Sequence, residues 1–161
     1  MELGVIPPRD FARFIHARFE QTARAIGASV VSSVLEITHC HPYGTQELAY
    51  ALWEVTPEGA TATESQLREA LTRVLRSENA HFSRIWDGAS TAQRVTLEAL
   101  ARDPGKPPLS NHYRRGHDLP GPSTVQRAIG ALVNDELVDR WQDGYRIVEP
   151  FLTEWIVRHD V

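Results

Sequence analysis

Apolar side chains recur along this chain at helical spacing far more often than in strict alternation. Residues 1–8 form an apolar entry closed by Pro7-Pro8, which fits extended backbone. Asp10 then stands as an N-cap, and Phe11, Phe14, Ile15, Phe19 and Ile26 share one wide face of a first helix. Gly27 closes that helix as a left-handed C-terminal residue. Val30, Val31, Val34, Leu35 and Ile37 predict a short buried helix within Ser29–Thr38. Such β-branched residues also suit a strand, but Ser32-Ser33 and the following proline weigh toward helix. Pro42 opens a third helix running to about Trp53, with Leu48, Leu52 and Val55 inward. A polar loop over Thr56–Thr63 leads into a longer helix, Glu64–Trp86, whose stripe is Leu67, Leu71, Val74, Leu75, Phe82, Ile85 and Trp86.

A second set of elements begins at Ser90. Ser90 and Gln93 have the spacing of a capping box, with Val95, Ala99 and Leu100 inward behind them. The run Asp103–Pro108 (DPGKPP) stops this helix, and a short one follows over Ser110–Arg115. Ser123 and Gln126 repeat the capping-box spacing ahead of Val125, Ala128, Ile129, Leu132 and Val133. Val138–Trp141 and Tyr145–Val148 alternate sides and are joined by Gln142-Asp143-Gly144, a hairpin with a glycine at its tip. Pro150 starts a closing helix with Phe151, Leu152, Trp155 and Ile156. The expected fold is mainly α: a small helical bundle over residues 1–88, then a winged-helix (helix-turn-helix) domain with a β-hairpin wing over 89–161.

Composition narrows the function more than the fold. The net charge is -4, so no global positive field draws the chain toward nucleic acid. Cys40 is the single cysteine, which excludes a disulfide framework and suits a reducing, cytoplasmic setting. No leader pattern is evident, and no apolar run approaches the ~20 residues that cross a bilayer. Phosphate-loop, GxSxG, HExxH and CxxC patterns are all absent, and the single lysine is Lys106. His39-Cys40-His41 offers metal-binding side chains, but adjacent residues rarely aim at one point, so no metal is expected. Asp135-Glu136 reads as solvated charge at a helix end. No catalytic residue is expected within the chain.

Two segments carry a family resemblance. One is Thr38-His-Cys-His41-Pro42-Tyr43 followed by Gln46, Leu48, Ala49, Leu52, Trp53 and Glu54. The other is Pro122-Ser-Thr-Val-Gln-Arg-Ala with Leu132-Val133, Leu137-Val138, Tyr145-Arg-Ile-Val-Glu-Pro-Phe151 and Trp155. In that order they resemble the C-terminal portion of prokaryotic P-loop ATPases of the STAND and archaeal type, relatives of the origin-recognition AAA+ proteins. Leu3-Gly-Val-Ile-Pro-Pro-Arg-Asp also looks like the exit from the last strand of such an ATPase core. The resemblance implies a helical lid and then a winged helix, with the nucleotide-binding core outside this chain. It also implies ATP or ADP in the full-length protein, with His41 and Pro42 near the adenine. The chain departs from the family pattern in having His39 and Cys40 where glycines commonly precede His-Pro. A helix-starting proline that merely packs the lid is the alternative reading of Pro42.

Three readings of the winged helix stay open. On double-stranded DNA, Ser123, Thr124, Gln126 and Arg127 would face the major groove, Gln matching adenine edges and Arg guanine edges. Arg114, Arg115 and Lys106 would touch phosphates, and Arg140 and Arg146 would bring the wing to the backbone or minor groove. Asp118, Asp135, Glu136, Asp139 and Asp143 oppose this by bracketing the same surface. In the second reading the domain packs on the ATPase core or a partner protein, with Trp141, Tyr145, Phe151 and Trp155 as anchors. In the third, the chain is a free-standing transcriptional regulator that pairs through Glu64–Trp86, with Leu71 and Phe82 at the contact.

Overall fold

Proline decides where the first helix begins. The structure is a computed structural model that describes residues 6–159, so Leu3-Gly-Val of the expected core exit lies outside the described residues. Helix α1 (Pro8–Glu20) starts at Pro8, whose fixed φ suits the first helical position and whose missing N–H has no partner to lose there. Asp10 therefore sits in the first turn and is not the N-cap, which is Pro7. Phe11, Ile15 and Phe19 are buried, whereas Phe14 is 46% exposed and not inward. It lines a groove of about 520 Å³ between α1 and the third helix, together with Tyr43, Tyr50 and Trp53.

Helix α1 stops well before Gly27. Ala23 takes a left-handed φ of 55°, Arg24 N donates to Phe19 O at 2.9 Å, and Ala23 N donates to Glu20 O at 3.2 Å. This paired closure is the Schellman motif, which favours glycine at the left-handed position. Ile26 consequently leaves the helical face and joins β1 (Ala25–Ile26), which pairs in parallel with β2 (Thr61–Ala62) inside the stretch expected to be loop. Gly27 is extended, with φ -77°, and caps the start of α2 (Ala28–Thr38) where a helix end was expected. That helix closes in the same way: Cys40 N donates to Leu35 O at 3.1 Å, His39 N to Glu36 O at 3.3 Å, and both residues have positive φ.

Helix α3 (Pro42–Val55) begins at Pro42 as expected, and α4 (Glu64–Gly88) follows β2. A buried hydroxyl pair ties α2 to α3. Thr38 Oγ1 donates to Val34 O at 2.8 Å, so Thr45 Oγ1, also at 2.8 Å, supplies the proton between the two hydroxyls.

The chain divides into two compact units, and the division falls inside α4, between Glu78 and Asn79. The second unit holds α5 (Thr91–Arg102), α6 (Asn111–Gly116), α7 (Pro122–Asn134), the antiparallel pair β3 (Val138–Trp141) and β4 (Gly144–Ile147), and α8 (Pro150–Arg158). Its core gathers Phe82, Leu97, Leu100, Val125, Ile129, Leu132, Val138, Ile147, Leu152 and Trp155. The Ser90–Gln93 capping box forms, with Gln93 N on Ser90 Oγ at 3.2 Å and Ser90 N on Gln93 Oε1 at 2.8 Å. The second expected capping box does not. Pro122 takes the first position of α7, Gly121 becomes the N-cap without a side-chain bond, and Ser123 is the second residue of the helix.

Leu71 is 3% exposed and Phe82 1%, so these two side chains are spent on the units' own cores and offer no surface for pairing two chains. Val133 is 42% exposed, not inward. Among the described residues eight helices take up 67% of the positions, with one C-terminal hairpin, and the fold is mainly α. No helix of the described residues is long and apolar enough to cross a membrane.

A left-handed alanine costs about 1–2 kcal/mol that glycine avoids, partly offset by glycine's greater freedom when unfolded. Ala23→Gly is therefore expected to raise stability by up to about 1 kcal/mol. The same change at Ala17, within helix α1 and exposed, should lower it by about 0.5–1 kcal/mol. Urea denaturation of the two variants checks the opposite signs.

Candidate nucleic-acid interface

The wing is held from below by the loop that ends α5. Gly105 has φ 79°, its N–H donates to Tyr145 O at 3.0 Å, and its carbonyl accepts from Asp143 N at 3.1 Å. Gly144 lies so close to this loop that a Cβ there would sit 2.7 Å from the Lys106 carbonyl carbon and overlap its oxygen. Only glycine fits. Gly144 is thus the first residue of β4, opposite Trp141, and not the tip that the sequence pattern suggested. The tip is Gln142-Asp143, with Gln142 at φ 52°, a position where tight hairpin turns usually place glycine. The ladder extends past the strands through Val148 N to Leu137 O at 3.0 Å.

Asp103, at the end of α5, also reaches α6. Ser110 caps α6 by accepting from Tyr113 N at 3.2 Å, and Tyr113 turns inward so that its hydroxyl donates to Asp103 O at 2.8 Å. Burial, with Asp103 nearby, pushes the Tyr113 hydroxyl well above its ordinary range, so it stays a donor. The Asp103 carboxylate meets Lys106 Nζ at 3.0 Å and His117 Nε2 at 3.2 Å. Bonding first to Lys106 and then to His117 holds its carboxyl below the usual carboxylate range. Helix α6 closes at Asp118, φ 51°, with Leu119 N on Arg114 O at 2.8 Å. Helix α7 then buries Val125, Ala128, Ile129 and Leu132.

The burial of that face fixes where the anticipated contact residues lie. Ser123, Gln126 and Arg127 are exposed along the other side of α7, and Thr124 is half-buried. Arg115 and Arg140 are exposed, the latter with its guanidinium 5.6 Å from the Tyr145 ring centre. The remaining cations are engaged within the fold. Arg114 donates to Leu109 O at 3.1 Å and to Asn111 Oδ1, Lys106 holds Asp103, and Arg146 pairs with Asp139 at 3.3 Å. Phe151 and Trp155, considered as partner anchors, are core residues at 2% and 4% exposure, while Trp141 and Tyr145 are half-buried on the wing. Asp103, His117 and Tyr113 carry no functional signal in the sequence, where DPGKPP is legible merely as a helix stop.

His41 and Pro42 lie in the first unit. His41 is the N-cap of α3, its Nδ1 accepting from Gly44 N at 3.3 Å, and its ring is exposed; Pro42 is half-buried. Burial pushes the Cys40 thiol up, and no cluster of His, Cys, Asp or Glu among the described residues is placed to hold a metal ion.

Gly144→Ala should cost more than about 2 kcal/mol, because the obstacle is backbone and cannot rotate away. Gly130→Ala, with open space around an exposed α7 position, should instead gain about 0.5–1 kcal/mol. Chemical denaturation distinguishes them. Asp103 adds stability that is present above the ordinary carboxylate range, about pH 3.9, and is lost as pH falls through its lowered folded value. The deficit of Asp103→Asn should therefore be full near pH 6 and shrink below about pH 4 in thermal melts at a series of pH values.

Residues 80–158 match a family model described as "Probable winged helix domain". No curated protein and no solved structure matches the chain significantly. The matched stretch begins one residue inside the second compact unit, which starts at Asn79. Its three helices, hairpin and closing helix, with α7 packed on α5 and the wing pinned to the α5–α6 loop, make residues 80–158 a winged-helix region.

Proposed function

We propose that this winged helix binds double-stranded DNA with α7 as its recognition helix, as the non-catalytic C-terminal regulatory part of a P-loop ATPase. One observation carries the DNA reading. The charged side chains of α6 and α7 are Arg114, Arg115 and Arg127, with no carboxylate in either helix. In a chain of net charge -4, that is a local inversion of sign. The start of α7 has no side-chain cap, so its first backbone N–H groups are free to meet a phosphate. Gln126 and Arg127 then face base edges in the major groove, Ser123 and Thr124 the rim, and Arg115 and Arg140 the flanking backbone. Arg114, Lys106 and Arg146 are already bonded to the partners described above, so they add less than their charge suggests.

The other end of α7 suits a different neighbour. Val133 and Val148 are 42% and 41% exposed, and Asp135 and Glu136 are exposed beside Val133 in sequence. This end would repel phosphate, and it fits a protein surface such as an ATPase core. The ATPase context has its own support in the first unit. His39 and Cys40 occupy the positions where the resembling family has glycines, and both adopt the left-handed backbone that glycine takes freely. His41 and Pro42 would lie against an adenine there, and the phosphates would be held by the core. ATP or ADP, when bound, would supply the free-energy difference between two arrangements of core and lid. A free-standing regulator would need a pairing surface other than Leu71 and Phe82.

Fluorescence anisotropy with duplexes selected from a random pool, over a salt series, tests the DNA reading. Arg127→Ala should weaken the selected duplex about ten- to a hundredfold. Arg115→Ala should weaken every duplex alike and reduce the salt slope by about one. Absence of salt-dependent binding, or unchanged affinity in Arg127→Ala, would overturn it.

A further inference from the structure

We propose that Asp103 is a positioning residue that sets the helix-turn-helix and the wing relative to each other through the single loop 103–108. On one side, its carbonyl takes the Tyr113 hydroxyl at 2.8 Å and its carboxylate takes His117 Nε2 at 3.2 Å. Tyr113 and His117 are four residues apart and in ring contact, 4.5 Å between centres, so both grips act on one side of α6. On the other side, two residues along the chain, Gly105 exchanges backbone hydrogen bonds with Asp143 and Tyr145, and the Lys106 carbonyl abuts Gly144. Lys106 Nζ folds back onto Asp103 at 3.0 Å and closes the loop on itself. A Cβ on Gly105 would lie 3.0 Å from the Trp141 ring, so the loop has no slack toward the wing. Movement of α6 relative to α5 is thereby passed to β3 and β4, although no side-chain hydrogen bond or ion pair joins Asp103 to them among the described residues.

The coupling is tested on the full chain by amide chemical shifts and by DNA affinity. Asp103→Asn should shift the amides of Asp143, Gly144 and Tyr145 in the wing as well as those of His117 and Asp118. His117→Ala should reproduce that pattern, and His117→Gln, which keeps a side-chain N–H for the carboxylate, should largely restore it. Removing a carboxylate should by electrostatics alone tighten binding to phosphate. Positioning demands the reverse, a loss of about fivefold or more in Asp103→Asn with the salt slope unchanged. Wing amides that stay in place in Asp103→Asn and His117→Ala, or tighter DNA binding in Asp103→Asn, would sink the proposal. If Asp103→Asn does not fold, Tyr113→Phe, which removes only the hydroxyl, decides by the same wing shifts. The affinity arm rests on the DNA reading, whereas the chemical-shift arm stands without it, so the two failures are distinguishable.

Discussion

The approach of Gly144 to the Lys106 carbonyl is the constraint around which the second unit is arranged. It permits no side chain at the start of β4, and so fixes where the hairpin sits against the α5–α6 loop. With the hairpin fixed, Ile147 and Val138 are delivered to the core beside Leu97, Leu100 and Leu132. The strand pair alone, four residues on each side, could not stand in water without such a base. Backbone contact of this kind is also directional, unlike apolar burial, and so specifies one placement of the wing.

A second theme is how helices end. Helices α1, α2, α6 and α7 each close through a left-handed residue, namely Ala23, His39, Asp118 and Glu136, with the matching pair of backbone bonds. None of the four is glycine, so each closure carries strain that packing must offset. At His39 and Cys40 two such residues are consecutive, next to the proline that starts α3. In the helix-turn-helix, the strained residue is an aspartate, one of the side chains that tolerate this backbone best.

The distribution of charge bears on function more than its total. Acidic groups follow the C-terminal end of α7 (Asp135 and Glu136) and stand on the wing (Asp139 and Asp143), while arginines are the only charged residues of α6 and the first half of α7. A module so divided can present one end to a polyanion and the other to a protein.

Much of this protein was legible in its sequence. The 3.6-residue recurrence of apolar positions, the prolines at 42 and 150 and the Ser90–Gln93 pair determined the helices, because these signals act within a turn or two of chain. The helix-then-hairpin order likewise determined the winged-helix region. Helix ends are hidden from the sequence where the left-handed residue is not glycine: Gly27 looks like the terminator of α1, yet the chain leaves that helix at Ala23 and Ile26 lies in β1. Phe14 and Val133 kept helical spacing yet stayed exposed, since periodicity names a face but not how wide a strip the neighbours cover. Of the anticipated contact residues, only packing could separate Arg115, Arg127 and Arg140, exposed, from Arg114, Lys106 and Arg146, which are held by groups of the fold itself. The local code wrote the helices. The meeting of Asp103 with His117, and of Gly144 with Lys106, depends on residues 14 and 38 positions apart being brought together, which only the folded chain decides.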